Sequence, residues 1–373
     1  AVQAVLETLV ADGRETGIQV AAYLGDNLVV DAWAGIADPA TGRMVDENTL
    51  FNVFSVSKAV TATAVHLQAE RGLIDYDEPL ATYWPEFTGD GRERVTVRHV
   101  LTHRSGMYPM PAGVTPVQIC DWDFMVNWLQ NAAPATEPGI QSGYQSLTFG
   151  WLLGELVRRT DKQHRPFGQF IQQEIAAPLG IDDLWIGLPE ALDPRVAIMD
   201  GDAVTIVPEG TLYRVANPIA VDLMPNPFGD PKLRHACIPA VGGIFTARAQ
   251  ARFFAMLANG GMIGGVRLLS PERVASFSQP RGHFDEPEPV FFGMQIPLGT
   301  SGFWLGGGTT PPTCAPRNIR ALCHPGMGGS IGWADPDTKL AVAFCHNRLF
   351  DALTADADSR TLIGDTIRQA LGL

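Results

Sequence analysis

The chain has 373 residues, 46% of them hydrophobic and 18% charged, with a formal net charge of −13 at pH 7. Its 39 glycines and 28 prolines are too few for a disordered or collagen-like chain, and the low charged fraction points to a large interior. Net acidity without a Lys/Arg-rich run argues against nucleic acid as a partner, and no stretch approaches the ~18 apolar residues of a membrane span.

The elements follow in chain order. Residues 1–13 read as a helix with Val2, Val5, Leu6 and Leu9 on one stripe and Gly13 ending it. Two strand-like runs, Gly17–Leu24 and Asn27–Trp33, flank Gly25-Asp26, which suits a hairpin turn. Phe51–Phe54 leads into a strong helix that ends at Gly72. From Ile74 to about Pro239 turn-rich stretches alternate with helical segments, notably Asp121–Asn131, Leu147–Arg159 and Gly168–Ile175. An amphipathic helix, Ala247–Asn259, follows Gly242-Gly243 and closes at Gly260-Gly261. Strand-like segments return at Val290–Ile296, Gly329–Ala334 and Lys339–Cys345, and Thr361–Leu371 forms a last helix.

Strands therefore lie at both ends of the chain around a helical middle, with no internal repeat. The expected fold is α/β of the α+β type: an antiparallel sheet flanked by helices, with a large helical insert. The expected division is 1–73 plus 240–373 for the discontinuous α/β domain and 74–239 for the mainly helical one, with an active site in the cleft between them. Five scattered cysteines (Cys120, Cys237, Cys314, Cys323, Cys345), odd in number and without a C-x-x-C pair, speak against a disulfide framework or a zinc site and for a reducing cytoplasm. The first twenty residues lack the basic start of a signal peptide, although a signal already removed would leave no trace.

One short motif carries chemistry. Ser55 and Lys58 stand three apart at the start of a helix whose apolar stripe is Val56, Ala59, Val60, Ala64 and Leu67. That spacing puts both side chains on one face, within reach of each other. A serine hydroxyl becomes a competent nucleophile when a neighbour accepts its proton, and a desolvated lysine can do this. The bland alternative is a helix cap beside a solvated charge. Eleven serines and four lysines in 373 positions predict only about 0.1 chance S-x-x-K matches. A second motif, Gly328-Gly329-Ser330-Ile331-Gly332, matches the G-x-S-x-G elbow of α/β-hydrolases. That elbow needs a helix after it, and Trp333-Ala334-Asp335-Pro336-Asp337 reads as a strand end and a turn, so the match fails on context.

With Ser55 and Lys58 in view, the chain resembles the serine β-lactamase and penicillin-binding-protein superfamily, most closely its class C branch and the family VIII carboxylesterases. The resemblance runs in order over most of the length. Phe51–Lys58 looks like the first motif, and Leu101-Thr102-His103-Arg104-Ser105-Gly106 resembles the L-L-T-H-T-S-G-type segment. Tyr144-Gln145-Ser146 stands where Y-x-N falls, followed by the helix beginning Thr148-Phe149-Gly150. His324-Pro325-Gly326 stands in the place of K-T-G on the edge strand of the sheet. The resemblance implies a β-lactamase-like fold, Ser55 as acylated nucleophile, Lys58 as its proton partner and Tyr144 as general base, useful if cationic neighbours such as Lys58 lower its phenol. It also implies an oxyanion hole from the backbone N–H groups of Ser55 and Met327, substrate contacts at Ser146, His324 and Gly326, and no metal or cofactor.

Two departures shape the expected substrate. Ser146 replaces the motif asparagine that can bond a substrate amide, and His324 replaces the lysine that helps bind a carboxylate. A mostly neutral histidine weakens anion recognition. The expected activity is therefore hydrolysis of small, neutral carboxylic esters through an acyl-enzyme. The alternatives are a β-lactamase, a D-alanyl-D-alanine carboxypeptidase, an acyltransferase using the same intermediate, or an inactive binding member of the superfamily. His99 and His103, four apart, and the aromatics Trp122, Phe124, Trp128, Trp151 and Trp304 read as packing residues.

Overall fold

Apolar runs from the two ends of the chain meet at the centre of one sheet. In this computed structural model, which describes all residues except 202–206, 219–226, 308–317 and 350–357, seven strands pair antiparallel throughout. Their order is Trp304–Leu305, Leu322–Pro325, Ile331–Asp335, Leu340–His346, Gly17–Leu24, Asn27–Asp38 and Arg43–Met44. The central pair, Gly17–Leu24 and Leu340–His346, is buried along nearly its whole length. Both faces are covered, so these strands read as continuous apolar runs instead of alternating ones. Ile18, Val20 and Ala22 face a cluster shared with Leu6, Leu9, Ile363 and Ile367 from the helices Val2–Ala11 and Asp358–Leu371. Ala21 and Tyr23 face the larger cluster that holds Phe253 and Phe254 of the helix Ala247–Ala258.

A second, three-stranded sheet presents the start of the S-x-x-K helix. Phe51–Phe54 pairs with Gly243–Phe245, which pairs with Leu184–Ile186. The register slips between Asn52 and Phe54, and Phe54 itself has φ +48°. A bulge followed by a left-handed residue turns the chain sharply out of the strand. Ser57 secures this turn: its hydroxyl donates to Phe54 O at 2.5 Å and accepts from Gly243 N–H at 2.8 Å.

Several expectations need correction. The helix Ser57–Glu70 does not bury one stripe only; every residue from Ser57 to Ala69 is buried. Its polar residues are bonded internally or to neighbours, such as Thr61 Oγ1 to Pro239 O at 2.8 Å, which makes burial on all sides tolerable. Val290–Ile296 is not a strand. Pro287–Glu288 and Met294–Gln295 form a two-residue hairpin around a 3₁₀ turn at Pro289–Phe291. Pro289 has no N–H to give a ladder, and Phe292 (φ +56°) and Gly293 (φ +81°) turn the chain back. Leu322–Pro325 is second in the sheet, because the unanticipated strand Trp304–Leu305 pairs with Leu322 and Cys323. Only the His324-Pro325 end lacks that outer partner among the described residues. Cys120, Cys237, Cys323 and Cys345 are free thiols, and Cys314 lies outside the described residues. No helix among the described residues is long and apolar enough to cross a membrane.

Candidate active site

Lys58 is fully buried, yet its ammonium position is surrounded by oxygen. Nζ lies 2.8 Å from Ser146 O, 3.1 Å from Ala240 O and 3.0 Å from Ser55 Oγ. Burial holds its pKa well below the usual lysine range, because a charged amine loses more solvation than a neutral one. A neutral amine has two N–H bonds and one lone pair. With both N–H bonds of a neutral Lys58 on the two carbonyls, its lone pair would face Ser55 Oγ.

Tyr144 lies against the same pair. Lys58 Nζ is 5.2 Å from the centre of its ring, and Ser55 is near enough to act on its phenol. The anticipated lowering of the phenol does not occur. Burial raises it above the ordinary tyrosine range, with the nearby Glu288 adding to the rise and Ser55 only partly offsetting it. The phenol is thus a neutral O–H group at rest.

The position of Tyr144 is fixed by residues that sequence reasoning passed over. Glu288, fully buried, accepts from Tyr144 N–H at 2.9 Å and Val290 N–H at 3.1 Å, and bonds the Ser142 hydroxyl as well. Arg281 donates to Ser142 Oγ at 2.9 Å and Thr102 O at 2.8 Å. His103, read as packing, stacks on Tyr144 with centroids 4.2 Å apart and an interplanar angle of 25°. Phe149 covers the imidazole as well, at 5.1 Å. His103 O accepts from Gly143 N–H at 2.8 Å, and Nδ1 accepts from Gln145 N–H at 3.0 Å. One residue therefore holds the Tyr144 ring and the backbone on both sides of it. Its pKa is held well below the ordinary histidine range by burial first and by Lys58 second, so the imidazole is neutral. A signal existed in the sequence, since the segment Leu101–Gly106 belongs to the resemblance, but nothing in it specified a contact across 41 positions.

Gly326 brings the third piece of the site to Ser55. A Cβ on Gly326 would overlap Val53 O, two residues before Ser55. Its φ of −102° and ψ of 155° suit any residue, so the glycine is needed for space alone. Met327 follows directly and opens a 3₁₀ turn, Met327–Gly329. Ser55 and Met327 are both half-buried, and among the described residues their N–H groups have no backbone or side-chain acceptor.

Ser146 and His324 are both close to this centre and engaged in ways the sequence did not indicate. Ser146 Oγ accepts from Asn217 Nδ2 at 3.0 Å, and Asn217 also bonds Tyr213 O at 3.1 Å. A carboxamide thus stands against the motif position, at the end of the helix Leu212–Ala216. His324 is fully buried, with Nδ1–H donating to Pro325 O at 2.9 Å and its ring 5.8 Å from Trp304. Burial, helped by the neighbouring Lys58, lowers its pKa to about 3. Of the five aromatics assigned to packing, Trp304 stands edge-on to Tyr144 at 6.2 Å, while Trp122 donates its indole N–H to Glu155 at 3.0 Å.

The G-x-S-x-G match forms no triad. Ser330 follows a 3₁₀ turn and precedes the strand Ile331–Asp335. Its hydroxyl meets the backbone N–H of His346 at 3.3 Å, while the His346 imidazole faces Glu15 at 2.8 Å.

A half-buried serine bonded to a buried lysine beside a neutral tyrosine, in a fold of antiparallel sheet with helices on both faces, defines a serine hydrolase of the β-lactamase superfamily. Residues 2–364 match the Beta-lactamase family, and the chain belongs to it. It is 37% identical over 372 residues to the esterase/beta-lactamase LipL of Mycobacterium tuberculosis, covering 96% of this chain and 83% of that protein. Among solved structures it is similar to a family VIII carboxylesterase, with a TM-score of 0.86, 29% identity and coverage of 98% and 96% of the two chains. A penicillin-binding protein homologue from Caulobacter crescentus aligns with a TM-score of 0.84 and 32% identity, again over 98% and 96%.

Proposed function

We propose that this protein is a serine carboxylesterase that hydrolyses small, uncharged carboxylic esters through an acyl-enzyme on Ser55. The observation that carries the reading is the amine of Lys58, desolvated, bonded to Ser146 O and Ala240 O, and 3.0 Å from Ser55 Oγ. As Oγ attacks the ester carbonyl carbon, Lys58 takes the hydroxyl proton. The carbonyl oxygen, now negative, rests on the N–H groups of Ser55 and Met327. When the tetrahedral intermediate collapses, Tyr144 gives its phenol proton to the departing alkoxide, and the Lys58 ammonium, which lies over the Tyr144 ring, returns a proton to the phenolate, so that both groups end neutral. Water then attacks the acyl carbon with the same groups acting in reverse, releasing the acid and freeing Ser55.

The preference for neutral esters rests on charge. His324 is neutral and buried where a cation would help bind a carboxylate, and the Ser146 hydroxyl is bonded to Asn217. The esterase part of the LipL name and the family VIII likeness support the same reading. The division into 1–73 plus 240–373 and 74–239, with the reacting groups in the cleft between, belongs to this proposal, as does residence in a reducing cytoplasm. Turnover of p-nitrophenyl acetate by the wild type and its loss in Ser55→Ala is the expected result; full activity in Ser55→Ala would refute the nucleophile. The β-lactamase half of the LipL name favours a second reading. A kcat/KM for a chromogenic cephalosporin exceeding that for an aryl acetate by orders of magnitude would establish it instead.

A further inference from the structure

A line of aromatic rings begins at Tyr144 and ends in solvent. Phe291 stands edge-on to Tyr144 with centroids 4.9 Å apart. Tyr213 stands edge-on to Phe291 at 5.9 Å, and Phe292 stacks on Tyr213 at 5.8 Å with an interplanar angle of 18°. The same apolar cluster buries Val290, Ile296 and Leu298 with Tyr144.

Phe292, at the outer end, is unfavourable in two independent ways. It is 50% exposed, and its backbone sits at φ 56° and ψ 31°, a left-handed conformation that a bulky residue adopts only under strain. The helix Leu212–Ala216, which carries Tyr213, leaves Leu212 and Val215 each 38% exposed as well. Neither burial nor backbone preference accounts for an aromatic held this way, whereas contact with an apolar ligand does. Glu288, the buried carboxylate next to these rings among the described residues, is already bonded to Ser142, Tyr144 and Val290, so it makes no polar demand on a guest.

We propose that these rings bind the apolar alcohol arm of the ester, so that the enzyme selects esters of alkyl or aryl alcohols. The inference rests on the role proposed above for Tyr144. The group that protonates the departing alkoxide stands on the leaving-group side of the reacting carbon, and the rings start from that group.

The test is a series of ethyl, butyl, hexyl and octyl acetates followed by pH-stat, beside an acyl-chain series of p-nitrophenyl esters. Both are run on the wild type, Phe292→Gly and Phe292→Tyr. Glycine accepts positive φ, so the first variant loses the ring and keeps the backbone; tyrosine keeps the ring. In the wild type, kcat/KM should rise about fourfold for each CH₂ that reaches the rings. The octyl-to-ethyl ratio should fall on the order of tenfold in Phe292→Gly, as about two such contacts are lost, and return in Phe292→Tyr. A flat alcohol series in a wild type that hydrolyses all four acetates overturns the subsite and leaves the esterase reading standing. Loss of the acyl-series slope in place of the alcohol-series slope puts the other arm on the rings and overturns it too. So does an unchanged alcohol series in Phe292→Gly accompanied by lost binding to phosphatidylcholine vesicles, which would make Phe292 a lipid contact. Turnover of a cephalosporin with no ester hydrolysed would remove the esterase reading, and this inference with it.

Discussion

Replacing Gly326 by alanine tests the oxyanion hole without touching a side chain that reacts. The conformation at 326 suits alanine, so backbone preference is not perturbed. The new methyl, however, overlaps the Val53 carbonyl oxygen on the strand that leads to Ser55, and meets Ser330 O at 3.2 Å. Relief requires a shift on the order of 1 Å, since carbon atoms pack at about 3.5–4 Å. The shift separates the two backbones that carry the Met327 and Ser55 N–H groups. Loss of one oxyanion donor costs about 10²–10³ in kcat, and a displacement of about 1 Å alone costs on the order of 10². Gly326→Ala should therefore lower kcat on p-nitrophenyl acetate by about 10²–10³, with KM changed by no more than about threefold, an uncharged ester making little ground-state use of the hole. Labelling of Ser55 by a fluorophosphonate, read by mass spectrometry, should slow in parallel, because phosphonylation places an oxygen in the same hole. A folded Gly326→Ala enzyme that keeps half of the wild-type kcat would refute the assignment of Met327.

Two further predictions concern histidines. His103→Ala should lower kcat by roughly tenfold or more through a displaced Tyr144, and His103→Asn, which tolerates the φ of +55° at this position and offers an acceptor to Gln145 N–H, should recover part of it. In a Tyr144→Phe background both should have little further effect; additive losses in that cycle would show that His103 acts elsewhere. The second prediction is a pH dependence of stability. His66 and His324 are lowered to about 3, and His103 is lowered well below its usual value, all chiefly by burial. The unfolded chain binds these protons near pH 6.5 and the folded one does not, so their stabilising contribution is present above about pH 6.5 and is lost as pH falls towards 3. Urea unfolding between pH 7 and 4 should show this decline, and His66→Gln should flatten it by about one proton's worth; a pH-independent unfolding free energy would contradict the buried, neutral assignment.

The approach of Ser55 to Lys58 was legible because its geometry is local: three positions across the turn that opens the helix Ser57–Glu70 set it at 3.0 Å. The sheet's central strands were legible because apolar runs bounded by turn residues mark buried strands. What escaped was built across distance. Glu288 reaches Tyr144 over 144 positions and Asn217 reaches Ser146 over 71, and neither carries a pattern that periodicity can detect. The supposed strand Val290–Ile296 failed for a different reason: its apolar residues serve a turn that lines the tyrosine, and the prolines and positive φ values beside it outweigh alternation. The condition set for Tyr144, a phenol lowered by Lys58, is not met, because burial raises the phenol and lowers the lysine.

The pairing of Ile18 with His346 has a consequence for how the molecule is made. During synthesis Gly17–Leu24 emerges more than 300 residues before its partner Leu340–His346, and until then one of its edges is open. Long-range closure of this kind is slow and exposes strand edges to wrong partners. Ser55, Lys58 and Tyr144 all leave the ribosome early, but Gly326 and Met327 come late, next to the strands that close the sheet. Assembly of the reactive centre therefore coincides with completion of the fold. A nascent chain that has not yet reached Gly326 and Met327 carries Ser55 in an unfinished site.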